Sequence, residues 1–191
     1  MSPSRRVLVS ALVVLLAIAL AGCTASPSSE NETYTSGDGT VTEFAIATRP
    51  EPIEFSGADE LHTERASGDY LGDPLVVNFW YAACPPCRLE APWLQELSEK
   101  YAEDGVSFLG VNVRDSAETS LSFTRSFGIG YPSIIDTSGE VALAFSGVAS
   151  ASAVPTTIVL DREGRPAARI VGLIDKDVLD ALIATVLAEE G

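Results

Sequence analysis

The chain has 191 residues, and 46% of them are hydrophobic, which predicts one ordinary packed domain with appendages. It carries 12 basic and 27 acidic residues, so its formal net charge is −15. This charge argues against a nucleic-acid partner, because phosphate binding needs clustered lysine and arginine. An acidic surface of this kind mainly keeps a protein soluble.

The N-terminus has the features of a secretory signal. Arg5 and Arg6 form a positively charged start, and residues 7–20 form an unbroken apolar run. A comfortable transmembrane helix needs about 20 residues, so this run is short for one. We therefore predict a signal peptide over residues 1–22.

The sequence LAGC at positions 20–23 resembles the bacterial lipoprotein box. The resemblance implies that Cys23 is diacylated, becomes the new N-terminus and holds the protein at the extracytoplasmic face of the cell membrane. Two acyl chains make a stable anchor, whereas one gives only marginal binding. The alternative is a short signal anchor with an incidental cysteine. Lipidation of Cys23 would leave Cys84 and Cys87 as the only thiols in an oxidising compartment.

Residues 23–40 are rich in serine, threonine, asparagine and glycine, which predicts a flexible tether, and residues 41–191 are predicted to form the domain. Strands and helices alternate there. The predicted elements are a strand at 41–47, a buried strand at 75–81, a helix at 85–103, a strand at 106–113, a helix at 117–128, two strands within 154–172, and a closing helix at 175–190. This order predicts an α/β fold with a mixed central sheet. The apolar stripe predicted for the first helix consists of Leu89, Trp93, Leu94, Leu97 and Tyr101.

Two cysteines lie where the buried strand at 75–81 gives way to the first helix. At a helix N-terminus, unpaired N–H groups and the positive end of the dipole favour a thiolate. Cys84 is predicted to cap the helix and to stay accessible to solvent. Cys87, one turn further on, is predicted to be more buried and to attack a mixed disulfide formed at Cys84.

Pro85 and Pro86 separate the two cysteines. Proline suits the first helical turn, where its missing N–H has no partner within the helix. The two prolines also remove donors that would face the Cys84 sulfur, so the N–H of Cys87 is the nearest one left. We therefore expect only a modest lowering of the pKa of Cys84 and a reducing dithiol.

Two other interpretations of the cysteine pair are a structural zinc site and a static disulfide. A structural zinc site needs four ligands, and only His62 is available to join the two cysteines; we interpret His62 as a surface residue. A static disulfide would close too short a loop to stabilise the fold much. The sequence therefore predicts redox chemistry, with no metal and no cofactor.

The segment VVNFWYAACPPCRLEAP, at positions 76–92, is similar to the thioredoxin-like proteins of the TlpA/ResA group, which are membrane-tethered thiol–disulfide oxidoreductases. The resemblance extends to residues 111–113, 131–145 and 154–165. It implies a thioredoxin-like fold, a protein disulfide as substrate and a membrane thiol carrier as reductant. Apocytochrome c is the candidate substrate by analogy with relatives, and we expect a monomer. Pro92 matches the proline that kinks the active-site helix of this fold.

The resemblance also assigns residues that shape the site. It implies a cis peptide bond before Pro155, whereas the sequence alone favours a trans proline at the start of a strand. Val154 would then offer its backbone to an extended peptide, which pairs like an added strand. Trp80 is expected to pack beside the dithiol and shape it.

Glu90 is the predicted proton acceptor. Thioredoxin carries a buried aspartate at the position of Asn78, and an amide cannot take up a proton. Relatives of the TlpA/ResA group resemble this chain in having that asparagine, with a functional acid at the position of Glu90. Cys87 and Glu90 are three residues apart and so share one helix face. A partly desolvated carboxylate there would have a raised pKa and accept a proton from Cys87. The alternative is a solvated surface acid.

Three other functions are alternatives to disulfide reduction. A disulfide-forming oxidant would use the same scaffold, because the direction of exchange follows the partner's potential. A peroxidase of the peroxiredoxin type would have threonine or serine three residues before the reactive cysteine, where this chain has Tyr81. The third rival is a redox-silent lipoprotein that binds a partner with this surface.

Overall fold

The computed structural model describes residues 33–36, 40–150 and 153–189. Within these ranges the chain forms a seven-stranded sheet, a two-stranded sheet and four α-helices. The strands of the large sheet are β1 (Tyr34–Thr35), β2 (Val41–Glu43), β5 (Leu75–Trp80), β6 (Ser107–Asn112), β7 (Ser133–Ile135), β8 (Thr156–Leu160) and β9 (Pro166–Val171). The small sheet is made of β3 (Ser56–Ala58) and β4 (Glu64–Ala66). The helices are α1 (Pro85–Lys100), α2 (Ala117–Phe127), α3 (Glu140–Ala144) and α4 (Lys176–Ala188), and short 3-10 turns lie at Ile46–Thr48 and Ser67–Tyr70.

The large sheet has the strand order β1-β2-β9-β8-β5-β6-β7. Strand β5 pairs in parallel with β6, which pairs in parallel with β7, whereas every other pairing in this sheet is antiparallel. Parallel neighbours need a crossover connection, and α1 and α2 supply the two crossovers. The predicted α/β fold with a mixed central sheet is therefore confirmed.

The core lies on both faces of the sheet, and β5 is buried along its whole length. Alternate residues of a strand face opposite sides. Val76 accordingly packs with residues of α1 and α4, whereas Val77 and Phe79 pack with Phe145 beside α3. Because β5 is covered on both sides, the loop that follows it emerges between the layers at one end of the sheet.

Several predicted boundaries agree with the structure. Helix α1 begins at the predicted residue, continues through Pro92 and ends three residues before the predicted end. Gly128 adopts φ +68° and closes α2, and the Asp175 carboxylate accepts hydrogen bonds from the first N–H groups of α4. The turn between the last two strands, within the range 154–172 predicted for them, is closed by the Gly164 N–H, which donates to the Asp161 carbonyl at 3.0 Å.

Two predictions in the N-terminal part differ from the structure. The strand predicted at 41–47 ends at Glu43 and is followed by a 3-10 turn. Tyr34 lies inside the predicted flexible tether but belongs to β1 and pairs with Glu43, so at these residues a strand replaces the tether. The predicted signal peptide, Cys23 and residues 24–32 of the tether lie outside the described residues.

The predicted apolar stripe of α1 is wrong at its first position. Leu89 is 60% exposed, whereas Glu90 is completely buried. The buried face at this end of the helix runs through Cys87, Glu90 and Leu94, which are spaced three and four residues apart. The apolar pattern therefore missed a carboxylate that occupies a core position.

Candidate active site

The dithiol lies at the N-terminus of α1. Cys84 is the N-cap residue, and its sulfur accepts a hydrogen bond from the Cys87 N–H at 3.2 Å. Pro85 and Pro86 fill the first two helical positions and have no N–H to donate. The donor that the sequence predicted for the Cys84 sulfur is the one observed.

The two cysteines form a disulfide, with their Cα atoms 5.3 Å apart. Cys84 is 1% exposed and Cys87 is 2% exposed. The prediction that Cys84 stays accessible to solvent is therefore wrong for this oxidised form. Trp80, Phe123 and Val154 pack around the disulfide and cover it.

Glu90 lies one turn behind Cys87 with no exposed surface. Its two carboxylate oxygens accept hydrogen bonds from the Asn78 side-chain amide at 2.9 Å and from the Ile174 N–H at 3.1 Å. Burial raises the pKa of Glu90 to about 7, although these two hydrogen bonds oppose the shift. The alternative of a solvated surface acid is excluded.

Asn78 lies at the centre of β5, and its side-chain amide also donates to the Thr157 hydroxyl at 3.1 Å. The amide thereby joins β8 to the carboxylate of α1. Thr157 and Ile174 are partners that the local sequence pattern does not predict, because both come from distant parts of the chain.

Trp80 ends β5 and forms one wall of the site. Its ring centroid is 4.4 Å from that of Phe123, and its Nε1–H donates to the Ser133 hydroxyl at 3.1 Å. Gly110 on β6 makes room for this pair, since a Cβ there would lie 2.0 Å from the Ser133 oxygen and 2.8 Å from Trp80 Nε1. The expected packing of Trp80 beside the dithiol is observed.

The Val154–Pro155 peptide bond is cis, the isomer that the resemblance implied. Val154 packs against the cluster that contains both cysteines, and Pro155 is buried, with its carbonyl accepting from the Gly172 N–H at 2.8 Å. The segment before β8 therefore lies beside the disulfide.

Two charged residues near the site escaped sequence analysis. Asp115 accepts a hydrogen bond from the Ala82 N–H at 2.6 Å and fixes the loop that leads to Cys84. Arg88, four residues after Cys84, donates to the Ala82 carbonyl at 3.2 Å. The sequence VRD after β6 and the arginine after the second cysteine were the available signals.

The remaining predicted residues lie away from the dithiol or outside the described part. His62 is exposed, with φ +61°. Cys23 falls outside the described residues. Across those residues, no group of three or more histidine, cysteine or acidic side chains is placed to hold a metal ion. They also include no helix with the length and apolar character that a bilayer crossing requires.

Comparison with known proteins identifies relatives of this arrangement. The model of the AhpC/TSA family matches residues 51–166. The thiol-disulfide oxidoreductase ResA of Geobacillus thermodenitrificans is 29% identical over 177 residues, which cover 93% of this chain and 94% of the relative. A solved DsbF homologue from Corynebacterium diphtheriae is 32% identical with a TM-score of 0.69, over 80% of this chain and 96% of the other. A solved secreted thiol-disulfide isomerase from Corynebacterium glutamicum is 29% identical with a TM-score of 0.72, over 83% of this chain and 98% of the other.

The sequence motif, the mixed sheet and these relatives agree with one another. The dithiol lies at the start of the helix that follows the central strand, in a fold shared with solved disulfide-exchange proteins. The chain belongs to the AhpC/TSA family and is a thioredoxin-fold thiol–disulfide oxidoreductase similar to ResA.

Proposed function

We propose that this protein is a membrane-anchored, extracytoplasmic enzyme that reduces disulfide bonds of protein substrates with its CPPC dithiol. The observation that carries the proposal is the Cys84–Cys87 pair at the start of α1 with the buried carboxylate of Glu90 one turn behind it. This arrangement supplies a nucleophile, a resolving thiol and a proton acceptor.

The reaction begins when the Cys84 thiolate attacks one sulfur of the substrate disulfide. A mixed disulfide forms at Cys84, and the first substrate cysteine leaves as a thiolate. Cys87 then transfers its proton to Glu90 and attacks the Cys84 sulfur. The second substrate cysteine is released, the Cys84–Cys87 disulfide closes, and two electrons have passed to the substrate. A membrane thiol carrier returns two electrons to the dithiol.

The environment of Glu90 supports its role as the acceptor. Its pKa of about 7 places the exchange of a proton close to neutral pH, where a general base is most effective. The hydrogen bonds from Asn78 and Ile174 hold the carboxylate in one orientation on the helix face that it shares with Cys87.

Val154 is the proposed docking point for the substrate backbone. It packs beside the cysteines and precedes β8. Among the described residues, no backbone hydrogen bond joins Val154 to another residue. An extended substrate segment is therefore able to pair with it as an added strand, with Pro155 fixing the direction of the chain.

The membrane location and the partners of the protein are further proposals, because they depend on Cys23 and on other molecules that lie outside the described residues. We propose that Cys23 is lipidated, which would anchor the protein at the extracytoplasmic face as a monomer. The solved Corynebacterium glutamicum relative is a secreted protein, in keeping with that compartment. The proposed physiological substrate is the haem-binding cysteine pair of apocytochrome c. Replacing Cys23 with alanine should release the protein from the membrane fraction, and retention there would contradict the lipid anchor.

A trapping experiment tests the proposed reaction. The variant Cys87→Ala should accumulate a mixed disulfide at Cys84 with its substrate, and mass spectrometry of the adduct identifies that protein. The variant Cys84→Ser is the matched control and should trap nothing. Equal recovery of adducts from both variants would contradict Cys84 as the attacking residue. An insulin-reduction assay with the wild type tests the direction of electron flow. If the protein does not reduce insulin but oxidises reduced substrates, it is a disulfide-forming oxidant.

A further inference from the structure

A small pocket opens beside the dithiol between the start of α1 and the outer side of α2. Its volume is about 170 Å³, and Ala82, Arg88 and Phe127 are among the residues that line it. Ala82 lies two residues before Cys84, and Phe123, on the pocket wall, belongs to the cluster that covers the disulfide. A side chain of a docked substrate next to the reacting cysteine would therefore lie within range of this pocket.

Arg88 is held in a fixed orientation on one side of the pocket. Its guanidinium carbon lies 5.1 Å from the ring centroid of Phe127 and 5.9 Å from that of Phe123. One N–H group donates to the Ala82 carbonyl at 3.2 Å. A guanidinium has five N–H donors, and within the described parts of the chain Arg88 makes no other hydrogen bond and no ion pair. Stacking therefore orients the planar group while leaving donors for a ligand.

The remaining wall is polar. Ser122 and Ser126 of α2 line the pocket, and the Ser126 hydroxyl donates to the Ser122 carbonyl at 2.7 Å. That bond uses the one O–H of Ser126, so the Ser122 hydroxyl is the one of the two that can donate to a carboxylate held by the guanidinium. The nearby acid Asp115 is already paired with two donors, the Ala82 N–H and the Asn112 amide.

We propose that this pocket is a specificity subsite that binds an aspartate or glutamate side chain of the substrate next to its disulfide, with Arg88 as the binding residue. The proposal rests on the proposed reaction with protein disulfides and names the chemistry of the substrate. The net charge of −15 repels acidic partners in general. A fixed cation beside the dithiol therefore favours substrates whose acidic residue is at one position relative to the cysteine.

Peptide kinetics test the subsite. Four pairs of disulfide-bonded peptides are compared, one pair for each of the two positions on either side of the cysteine, and the members of a pair differ only in carrying glutamate or glutamine at that position. The wild type should reduce the glutamate peptide about fivefold to tenfold faster at one of these positions at low salt. The variant Arg88→Met should bring this rate ratio to about one, and Arg88→Glu should invert it in favour of a lysine peptide. Arg125→Met is the matched control, since Arg125 is exposed on α2 outside the pocket, and it should keep the wild-type ratio.

The ratio separates the subsite from effects on the thiol itself. A change in Cys84 reactivity would alter both peptides equally and leave their ratio unchanged. A ratio near one in the wild type at all four positions, or an unchanged ratio in Arg88→Met, would overturn the proposal.

A binding measurement separates failure of the subsite from failure of the proposed reaction. Peptides with serine in place of cysteine are titrated into the oxidised protein, and the Arg88 Nε–H signal is followed by NMR. A shift with the glutamate peptide but not with the glutamine peptide supports the subsite even if no disulfide is reduced. Equal shifts with both peptides overturn it even if reduction is fast.

Discussion

The side-chain amide of Asn78 donates a hydrogen bond of 2.9 Å to the buried carboxylate of Glu90. The central strand thus supplies the donor and the active-site helix supplies the acid. Since an amide cannot take up a proton, Glu90 is the titratable partner of this pair, as its proposed role as proton acceptor requires.

Replacing Glu90 with glutamine should slow thiol–disulfide exchange while preserving the fold. Glutamine has nearly the same shape but cannot accept the proton of Cys87, and general-base catalysis contributes about a hundredfold or more. We expect the rate of insulin reduction at pH 7 to fall at least tenfold, with an unchanged circular dichroism spectrum. Glu96→Gln, on an exposed part of the same helix, is the control and should behave like the wild type. Equal rates for all three proteins would refute the role of Glu90.

The stability of the oxidised protein should depend on pH through Glu90. Burial raises the pKa of its folded state to about 7 from an ordinary value of 4.5, so the folded protein binds this proton more tightly than the unfolded chain does. The free energy of unfolding should therefore decrease as the pH rises from about 4.5 to about 7, by on the order of 3 kcal/mol, and level off above that.

Urea denaturation of the wild type and of Glu90→Gln across this range isolates the effect. Other buried acids, such as Glu60, whose pKa burial also raises, contribute to both proteins alike. The difference between the two stability curves should change between about pH 4.5 and about pH 7 and stay constant above that. Curves that stay parallel would show that burial does not raise the pKa of Glu90 in the folded protein.

The two prolines should differ in their effect on the dithiol. An N-cap side chain accepts hydrogen bonds from the second or third helical residue. Pro86→Ala restores an N–H at the second position, facing the Cys84 sulfur, whereas Pro85→Ala restores one at the first. We expect Pro86→Ala to increase the thiolate fraction of Cys84 at neutral pH and to make the reduction potential about 20–30 mV more oxidising.

Thiolate absorbance and equilibration with glutathione measure both quantities. Pro85→Ala is the matched control and should stay near the wild type in each. If the two variants shifted the potential equally, helix flexibility rather than the added donor would be the cause.

Arg49 should be important for the stability of the fold, because it forms a buried ion-pair network with Asp161 and Glu189. It bonds Asp161 at 2.9 Å and both carboxylate oxygens of Glu189, at 2.7 and 2.5 Å, and its side chain is 4% exposed. Removing one partner of a buried ion pair costs about 3–5 kcal/mol, because the remaining charges lose their compensation. Arg49→Met should lower the free energy of unfolding by an amount of this order in urea denaturation.

An exposed ion pair provides the comparison. Lys176 pairs with Glu96 on the surface between α4 and α1. Surface pairs contribute about 0–1 kcal/mol, so Lys176→Met should change the stability little. If both variants lost a similar amount of unfolding free energy, burial of the Arg49 network would not increase its contribution to stability.

The local parts of this site were predictable from sequence. The capping position of Cys84, the donor at Cys87 and the start of α1 depend only on neighbouring residues, and the structure agrees with all three. Solvent access at Cys84 was predicted wrongly because its cover comes from Phe123 on α2 and Val154 before β8. A local pattern contains no information about side chains that arrive from other elements.

The burial of Glu90 shows the same limit. Its helix face was inferred from the spacing to Cys87, but the apolar pattern assigned the buried place to Leu89. The carboxylate is tolerated inside because the Ile174 N–H, 84 residues away, provides a hydrogen bond there. Such compensation depends on the tertiary arrangement, and so does the pocket that Arg88 forms with α2.

The register of β1 places the start of this strand at the end of the sheet opposite the dithiol. Tyr34 is aligned through β2, β9 and β8 with Val76, near the amino end of β5, whereas Cys84 follows the opposite end of that strand. Across the sheet, β1 and β5 are four strand spacings apart, about 19 Å. Under the proposed lipid anchor, the chain would therefore enter the sheet at the end opposite the cysteines, which leaves the dithiol end of the domain free to meet disulfides carried by other molecules.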